Sequence, residues 1–354
     1  MKEISVGLVG ATGMVGLQFL RILREKNFNI KNLYLFASAR TAGRKIKFAG
    51  KEIIVEELTE SSFDREMDYA FFCASGTISE KFAPIAASKG VVVIDNSSHF
   101  RLHDDVPLIV PEVNPHAVVG HKNIIANPNC STAQAVVVLK PIDKHYGIKR
   151  VVISTYQAVS GAGKEGIQDL VTGNAKTSWQ TQRLQDAMND PDHEMNPINL
   201  LAPHHKYELQ AMSTYIAGNV IPLIGDIDPE TGYGPEETKL INETRKILER
   251  PDLKITATAV RVPVINGHSE SINLELEKSF QLDAIKMLLN SSPGIELSDV
   301  PQPLAASGKN NVFVGRIRAD LDINGINMFV VADNLRKGAA LNGVQIMELL
   351  INQD

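Results

Sequence analysis

Along the first half of the chain, short unbroken apolar runs alternate with longer stretches whose apolar positions recur every three or four residues. Ile4 to Val9 is continuous and β-branched, the pattern of a strand buried on both faces. Met14 to about Lys26 has helical spacing. Leu33 to Phe36, Tyr69 to Cys73, Val91 to Asp95 and Ile124 to Ala126 are strand-length runs, while Ile78 to Lys89 and Ser131 to Lys140 are helical in spacing. Strands alternating with helices predict a doubly wound α/β sheet.

The texture changes after about residue 133. Val151 to Tyr156, Lys254 to Val262, Ser271 to Leu276, Val312 to Leu321 and Met328 to Val331 read as strands of a second sheet, with helices at Glu236 to Glu249 and Leu282 to Leu289. Asn189 to Pro203, rich in Pro and Asn, reads as a loop, and Gly338 to Ile351 as a terminal helix. There is no internal repeat and no low-complexity tract.

Composition removes several functional classes. At 354 residues, 44% hydrophobic and 22% charged, the chain can bury a full core without disulfides or metals. A net charge of −5 with scattered Lys and Arg leaves no footprint for nucleic acid; the densest basic patch, Arg40 to Lys47, is short and interrupted. No apolar run approaches the ~20 residues of a membrane helix, and no basic-apolar-cleavage pattern opens the chain. Two cysteines, Cys73 and Cys130, are too few for a disulfide framework and fit a reducing, cytoplasmic setting.

Gly10-Ala11-Thr12-Gly13-Met14-Val15-Gly16 lies directly between the first strand and the first helix. Glycines there allow a tight turn and close backbone approach to a pyrophosphate, which the helix start attracts. The spacing is G-x-x-G-x-x-G, a variant of the usual dinucleotide fingerprint. The second strand runs on to Ser38-Ala39-Arg40-Thr41, with no acid where NAD readers place one. An arginine and hydroxyls suit a 2′-phosphate, so the expected cofactor is NADP(H).

Asn127-Pro128-Asn129-Cys130-Ser131-Thr132 precedes an apolar helical stretch. A cysteine at a helix N-terminus is expected to have its thiolate stabilised by the dipole, which makes Cys130 a candidate nucleophile at neutral pH. Cys73, inside an apolar run, reads as a small core residue.

Three weaker signals are set aside. Gly161-Ala162-Gly163-Lys164-Glu165 lacks the first glycine and the Ser or Thr of a nucleotide phosphate loop. His204-His205 with His193 has no Cys or acidic partner at ligand spacing, so no metal is expected. Asp226 to Gly234 lacks the ligand series of a calcium loop and reads as a turn.

Taken together, the glycine loop, Asn127 to Thr132 and Arg261-Val262-Pro263-Val264-Ile265-Asn266-Gly267-His268-Ser269 resemble the aspartate-semialdehyde dehydrogenase family. The resemblance runs the length of the chain. It includes Asp95-Asn96-Ser97-Ser98-His99-Phe100-Arg101, Gln157-Ala158-Val159-Ser160-Gly161-Ala162-Gly163 and Asp333-Asn334-Leu335-Arg336-Lys337-Gly338-Ala339-Ala340. It implies a Rossmann-like NADP-binding domain at 1–132, joined by a returning C-terminal helix at 333–354. An α+β catalytic and dimerisation domain with a mixed sheet would span 133–332. It also implies NADPH-dependent reduction of L-aspartyl 4-phosphate to L-aspartate 4-semialdehyde with release of phosphate. That step serves lysine, threonine, methionine and diaminopimelate synthesis, and the enzyme acts as a homodimer or homotetramer.

By position, the resemblance implies that Cys130 forms a thioester and that His268 relays protons for the thiol and the hemithioacetal oxygen. Gln157 and Asn129 would orient the thioester. Arg261 would hold the substrate carboxylate, Arg101 and Lys239 the phosphate, and Glu236 would position Lys239 or meet the substrate amine. Gly10, Thr12, Gly13, Met14, Val15, Ser38, Arg40, Thr41, Thr77, Asn96, Ser160, Gly161 and Asn334 would contact the cofactor. One departure is Ala259, where many members carry cysteine. The nearest alternative is N-acetyl-glutamyl-phosphate reductase, whose cysteine block typically has Gly before and Tyr-Pro after the nucleophile. A glyceraldehyde-3-phosphate dehydrogenase reading lacks its acid after strand two. A silent NADP-binding regulator is opposed by Cys130, Gln157, Arg261 and His268 standing together.

Overall fold

The unbroken apolar run Ile4–Val9 (β1) is buried at all six residues, because it lies between parallel neighbours on both sides. In the computed structural model, which describes residues 3–175 and 208–352, β1 is central to a seven-stranded sheet. The other strands are β2 (Ile30–Ala37), β3 (Lys45–Phe48), β4 (Lys51–Glu57), β5 (Tyr69–Phe72), β6 (Val92–Asp95) and β7 (Ile124–Ala126), in the order β3-β4-β2-β1-β5-β6-β7. Every pair is parallel except β3 with β4.

That antiparallel pair has no counterpart in the sequence reading, which saw only a basic patch over its first half. Lys45-Ile46-Lys47-Phe48 and the following strand are joined by Ala49 and Gly50, both at positive φ, the geometry of a two-residue hairpin. The alternation was present, but it is short and sits at a sheet edge.

Helix α1 (Met14–Glu25) and the terminal helix share one face of this sheet. The Phe19 and Phe71 rings stack there at 4.4 Å. The terminal segment is a π-helical turn over Arg336–Ala340 before the α-helix Leu341–Ile351, not one helix from Gly338. On the opposite face, α2 (Gly76–Ser88) and α3 (Cys130–Tyr146) open a second core that continues into the second sheet. Helix α3 runs straight through Pro141, where the sequence reading ended it. A helical proline costs ~3 kcal/mol. Leu139 and Ile142, both fully buried between the two sheets, outweigh that cost.

The second sheet is mixed: β8 (Ile148–Gln157), β9 (Lys254–Arg261), β10 (His268–Leu276), β11 (Ile295–Leu297), β12 (Val312–Ala319) and β13 (Gly325–Ala332), ordered β11-β12-β13-β10-β8-β9. Alternate residues of β10 from His268 to Leu276 are buried, toward the core shared with α3. A helix over 163–175 (α4), α5 (Pro235–Leu248) and α6 (Leu282–Asn290) complete the frame around the site. Asp226 to Gly234 is a turn, closed by the Asp228 carboxylate accepting from Glu230 N–H and Thr231 Oγ1. The loop reading at Asn189 to Pro203 and the residues His193, His204 and His205 lie outside the described residues. Among the described residues, no cluster of His, Cys, Asp or Glu is arranged to hold a metal, and no helix is long and apolar enough to cross a membrane.

Candidate active site and dinucleotide cleft

Asn129 is the N-cap of α3: its side-chain Oδ1 accepts from Ser131 N–H at 3.0 Å and more weakly from Thr132 N–H at 3.5 Å. Its amide nitrogen donates to Glu236 at 2.8 Å, so the cap that starts the helix also fixes a carboxylate on α5. Cys130 follows as the first helical residue, held close beneath the Arg336–Ala340 turn. A methyl group on Gly338 would stand 2.8 Å from Cys130 Cβ, so only glycine fits there.

A cleft of about 320 Å³ opens over this cysteine. Arg101, Asn129, Gln157, Glu236, Lys239 and Arg261 line it, as do Val15, Asn96, Ser160, Gly161 and Asn334. Residues from seven separate stretches of sequence therefore meet around the cysteine. Lys239 pairs with Glu236 at 2.8 Å, one helical turn apart on α5. Burial works against the Glu236 charge, but Lys239, the Asn129 amide and Arg101 outweigh it and hold the carboxyl below its ordinary range. Arg261 Nη1 donates to the Ala158 carbonyl at 2.7 Å, which aims the guanidinium.

Arg101 is buried with all three of its nitrogens engaged. They donate to Asn127 O at 2.9 Å, Asn96 O at 2.8 Å and Glu243 at 3.0 Å. Glu243 is the residue the sequence reading missed. Its second oxygen accepts from the Asn129 N–H at 2.6 Å, so one buried carboxylate joins the arginine to the cysteine turn. Glu236, Lys239 and Glu243 stand at i, i+3 and i+7, one face of α5, and that spacing was the available signal.

The Cys130 thiol departs from expectation. Burial, then the Glu236 carboxylate, push its pKa up to about 12, against the opposing pull of Arg261, Arg101 and the Ser131 N–H. The helix start is in place, but it does not prevail against desolvation and a nearby carboxylate. His268 is fully buried and does not line this cleft. It lies behind Gly161, where a methyl group would stand 3.2 Å from Nε2 and 2.9 Å from Arg261 Nη1. Burial and then Arg261 hold its pKa well below the ordinary histidine value. Its Nδ1 accepts from Ala158 N–H at 3.0 Å, which places the proton of the neutral ring on Nε2. That Nε2 has no partner among the described residues.

A second cleft, of about 610 Å³, adjoins the first. Gly10, Thr12, Gly13, Ser38, Arg40 and Thr41 line it, and so does Glu57 at the end of β4. Gly10 has φ +88 and a methyl on it would stand 2.7 Å from the Cys73 carbonyl; one on Gly16 would stand 2.5 Å from the Gly10 carbonyl. The glycines thus permit the turn and the close seating of α1, while the outer side of the loop stays open. These features fit a nicotinamide dinucleotide laid across the loop. Thr77, exposed at the first turn of α2, and Met14 line neither cleft, although Ser75 and Ile78 beside Thr77 do. Ser160 and Asn334 bond to each other at 3.0 Å, and Asn334 accepts from Gly267 N–H at 2.9 Å, tying three loops around the cleft floor.

Fold and site together define the class: a two-sheet, dinucleotide-binding oxidoreductase with a cysteine at the junction of its two halves. Two family models match the chain, "Semialdehyde dehydrogenase, NAD binding domain" over residues 5–121 and "Semialdehyde dehydrogenase, dimerisation domain" over residues 139–337. Aspartate-semialdehyde dehydrogenase from Bacillus subtilis is 45% identical, covering 99% of this chain and 98% of that protein. The enzyme of that name from Aquifex aeolicus is 47% identical over 98% of both. Aspartate semialdehyde dehydrogenase II of Vibrio cholerae, solved as a complex with ASA, is 42% identical with a TM-score of 0.86 over 99% of each chain. The chain belongs to the aspartate-semialdehyde dehydrogenase family.

Proposed function

We propose that this protein reduces L-aspartyl 4-phosphate to L-aspartate 4-semialdehyde with NADPH, through a thioester on Cys130. The observation that carries the reading is the single cleft in which Cys130 meets Arg101, Lys239, Glu236, Arg261 and Gln157 beside the dinucleotide cleft. Two cations, Arg101 and Lys239, suit the phosphate. Arg261 suits the α-carboxylate through a paired hydrogen bond, and Glu236 suits the substrate ammonium.

The Cys130 sulfur attacks the acyl carbon and the bond to phosphate breaks. The thiol proton leaves with the phosphate, which departs as the monohydrogen dianion, so the step balances without a separate base. Gln157 and the start of α3 orient the resulting thioester. A nicotinamide bound in the adjoining cleft would supply the hydride that reduces it. His268 donates a hydrogen bond from its Nε2–H to the oxygen as negative charge develops there, and keeps its proton. On collapse the carbonyl re-forms from the oxyanion, the carbon–sulfur bond breaks, and the sulfur takes a proton from solvent. The role of His268 is therefore that of a neutral donor to oxygen, narrower than a relay that also serves the thiol.

Preference for NADP over NAD rests on Ser38, Arg40 and Thr41 at the end of β2. Glu57, the one acid lining that cleft among the described residues, comes from the neighbouring strand. We further read residues 1–132 with 333–354 as the cofactor-binding unit and 133–332 as the catalytic and dimerisation unit. The protein would work in the cytoplasm as a homodimer or homotetramer.

The test is the reverse reaction: L-aspartate 4-semialdehyde, phosphate and NADP⁺, followed by absorbance of the reduced cofactor. Signal that requires phosphate and is faster with NADP⁺ than with NAD⁺ supports the reading. Cys130→Ala is expected to lose about 10³-fold or more, since no other group forms the thioester; an unchanged rate would sink the mechanism.

A further inference from the structure

The dinucleotide cleft and the substrate cleft are separated by the glycine loop. Gly10, Thr12 and Gly13 line the first and Val15 lines the second. A molecule whose adenosine sits by Ser38–Thr41 and whose nicotinamide reaches Cys130 must cross Thr12–Val15 with its midpoint, the diphosphate. At that crossing stands a cation supplied by the other half of the protein. Lys164, exposed in the first turn of α4, donates from Nζ to the Thr12 carbonyl at 2.9 Å. Among the described residues no carboxylate forms an ion pair with it, and Glu165 turns instead toward Gly163. An ammonium has three donors, and this bond engages one.

The cations that line the two clefts are committed elsewhere. Arg40 lies at the adenosine end, and Arg101, Lys239 and Arg261 surround the cysteine. A diphosphate at Thr12–Val15 would otherwise be met by backbone N–H groups and the α1 dipole alone. We propose that Lys164 binds the diphosphate bridge of the dinucleotide, reaching over the glycine loop from the catalytic half. The proposal rests on the cofactor reading above. It gives the Gly161-Ala162-Gly163-Lys164 segment, which is no nucleotide phosphate loop of its own, a phosphate contact as its role.

The experiment is isothermal titration of the full-length protein, its Lys164→Met variant and its Lys164→Arg variant with NADP⁺ and separately with adenosine 2′-monophosphate. The second ligand keeps the 2′-phosphate and lacks the diphosphate. Lys164→Met is expected to weaken NADP⁺ about tenfold, the scale of one charge-assisted hydrogen bond at a solvent-exposed site. It should change adenosine 2′-monophosphate by less than twofold, and Lys164→Arg should keep most of the NADP⁺ affinity. NADP⁺ affinity unchanged in Lys164→Met would overturn the proposal. So would an equal loss for both ligands, which would make Lys164 a strut for the loop. If the unaltered protein binds adenosine 2′-monophosphate and NADP⁺ equally well, or neither, the cofactor reading itself fails and this inference with it.

Discussion

Gly338→Ala tests how tightly the cysteine is positioned. The new methyl would stand 2.8 Å from Cys130 Cβ, 3.1 Å from its Cα and 3.3 Å from its carbonyl oxygen. Carbon atoms sit comfortably at about 3.5 Å or more, so the two segments must part by roughly 0.7 Å. Little can yield. The Arg336–Ala340 turn is buried throughout, and Ala339 O is held by Asn127 Nδ2 at 3.1 Å. On the other side, the Asn129 cap and Glu243 pin the start of α3. Overpacking of this kind costs about 1–3 kcal/mol of stability. A displacement approaching 1 Å at a reacting atom costs up to ~10²-fold in rate. We expect kcat/KM for the phosphate-dependent oxidation of L-aspartate 4-semialdehyde to fall between about 10- and 100-fold, or about 1.4–2.7 kcal/mol. Urea unfolding would report the stability loss in parallel. A folded variant with kcat/KM within twofold of the parent would refute the claim that this turn sets the position of the sulfur.

Glu243→Ala removes the buried partner of Arg101 and the acceptor for Asn129 N–H, and should lower the unfolding free energy by about 3–5 kcal/mol; a loss under about 1 kcal/mol in urea melts would contradict the bridging role. Arg40→Ala should reduce the ratio of kcat/KM with NADP⁺ to that with NAD⁺ by about tenfold or more, and an unaltered ratio would move 2′-phosphate recognition elsewhere. His268 has a folded pKa depressed by burial, so the unfolded chain binds more protons near its ordinary pKa. Its contribution to stability is present above that value and is lost as pH falls through the folded pKa; His268→Gln should flatten the decline in stability from pH 7 to pH 5, and an identical slope would argue against the buried neutral ring. Glu270 has the opposite sign. Its carboxyl is fully buried, and burial raises its pKa well above the ordinary value against the opposing pull of the Gln134 amide. The protonated form is the folded one, so stability is lost as pH rises through the folded pKa. Glu270→Gln should stabilise the protein more at pH 8 than at pH 5, with equal gains at both counting against this account.

Much of the architecture was legible along the chain because its signals are local. β1, β7 and the start of α1 fall where period and glycine spacing put them. Strand periodicity also located β8, β9, β10, β12 and β13 to within a few residues. The β3–β4 hairpin escaped because its strands lie at an edge, where alternation is brief and mixed with charge. The length of α3 escaped because a local rule about Pro141 was overridden by burial between two sheets.

What the sequence by itself determined about this protein is the set of residue types and their local frames. A cysteine opens a capped helix, an arginine and a histidine flank one loop, and glycines stand where a dinucleotide needs them. Only the tertiary structure decided their chemical states. The Cys130 thiol is pushed up to about 12 by burial and by a carboxylate 106 positions away in the chain, at Glu236. The proton on His268 sits on Nε2 because the Ala158 N–H comes from another strand's end. Helical spacing puts Glu243 on the face of Glu236 and Lys239, but its contacts with Arg101 and Asn129 form only in the packed fold. Secondary structure follows from neighbours within a turn or two, whereas desolvation and Coulomb interaction depend on distance through space, which only the packed fold sets.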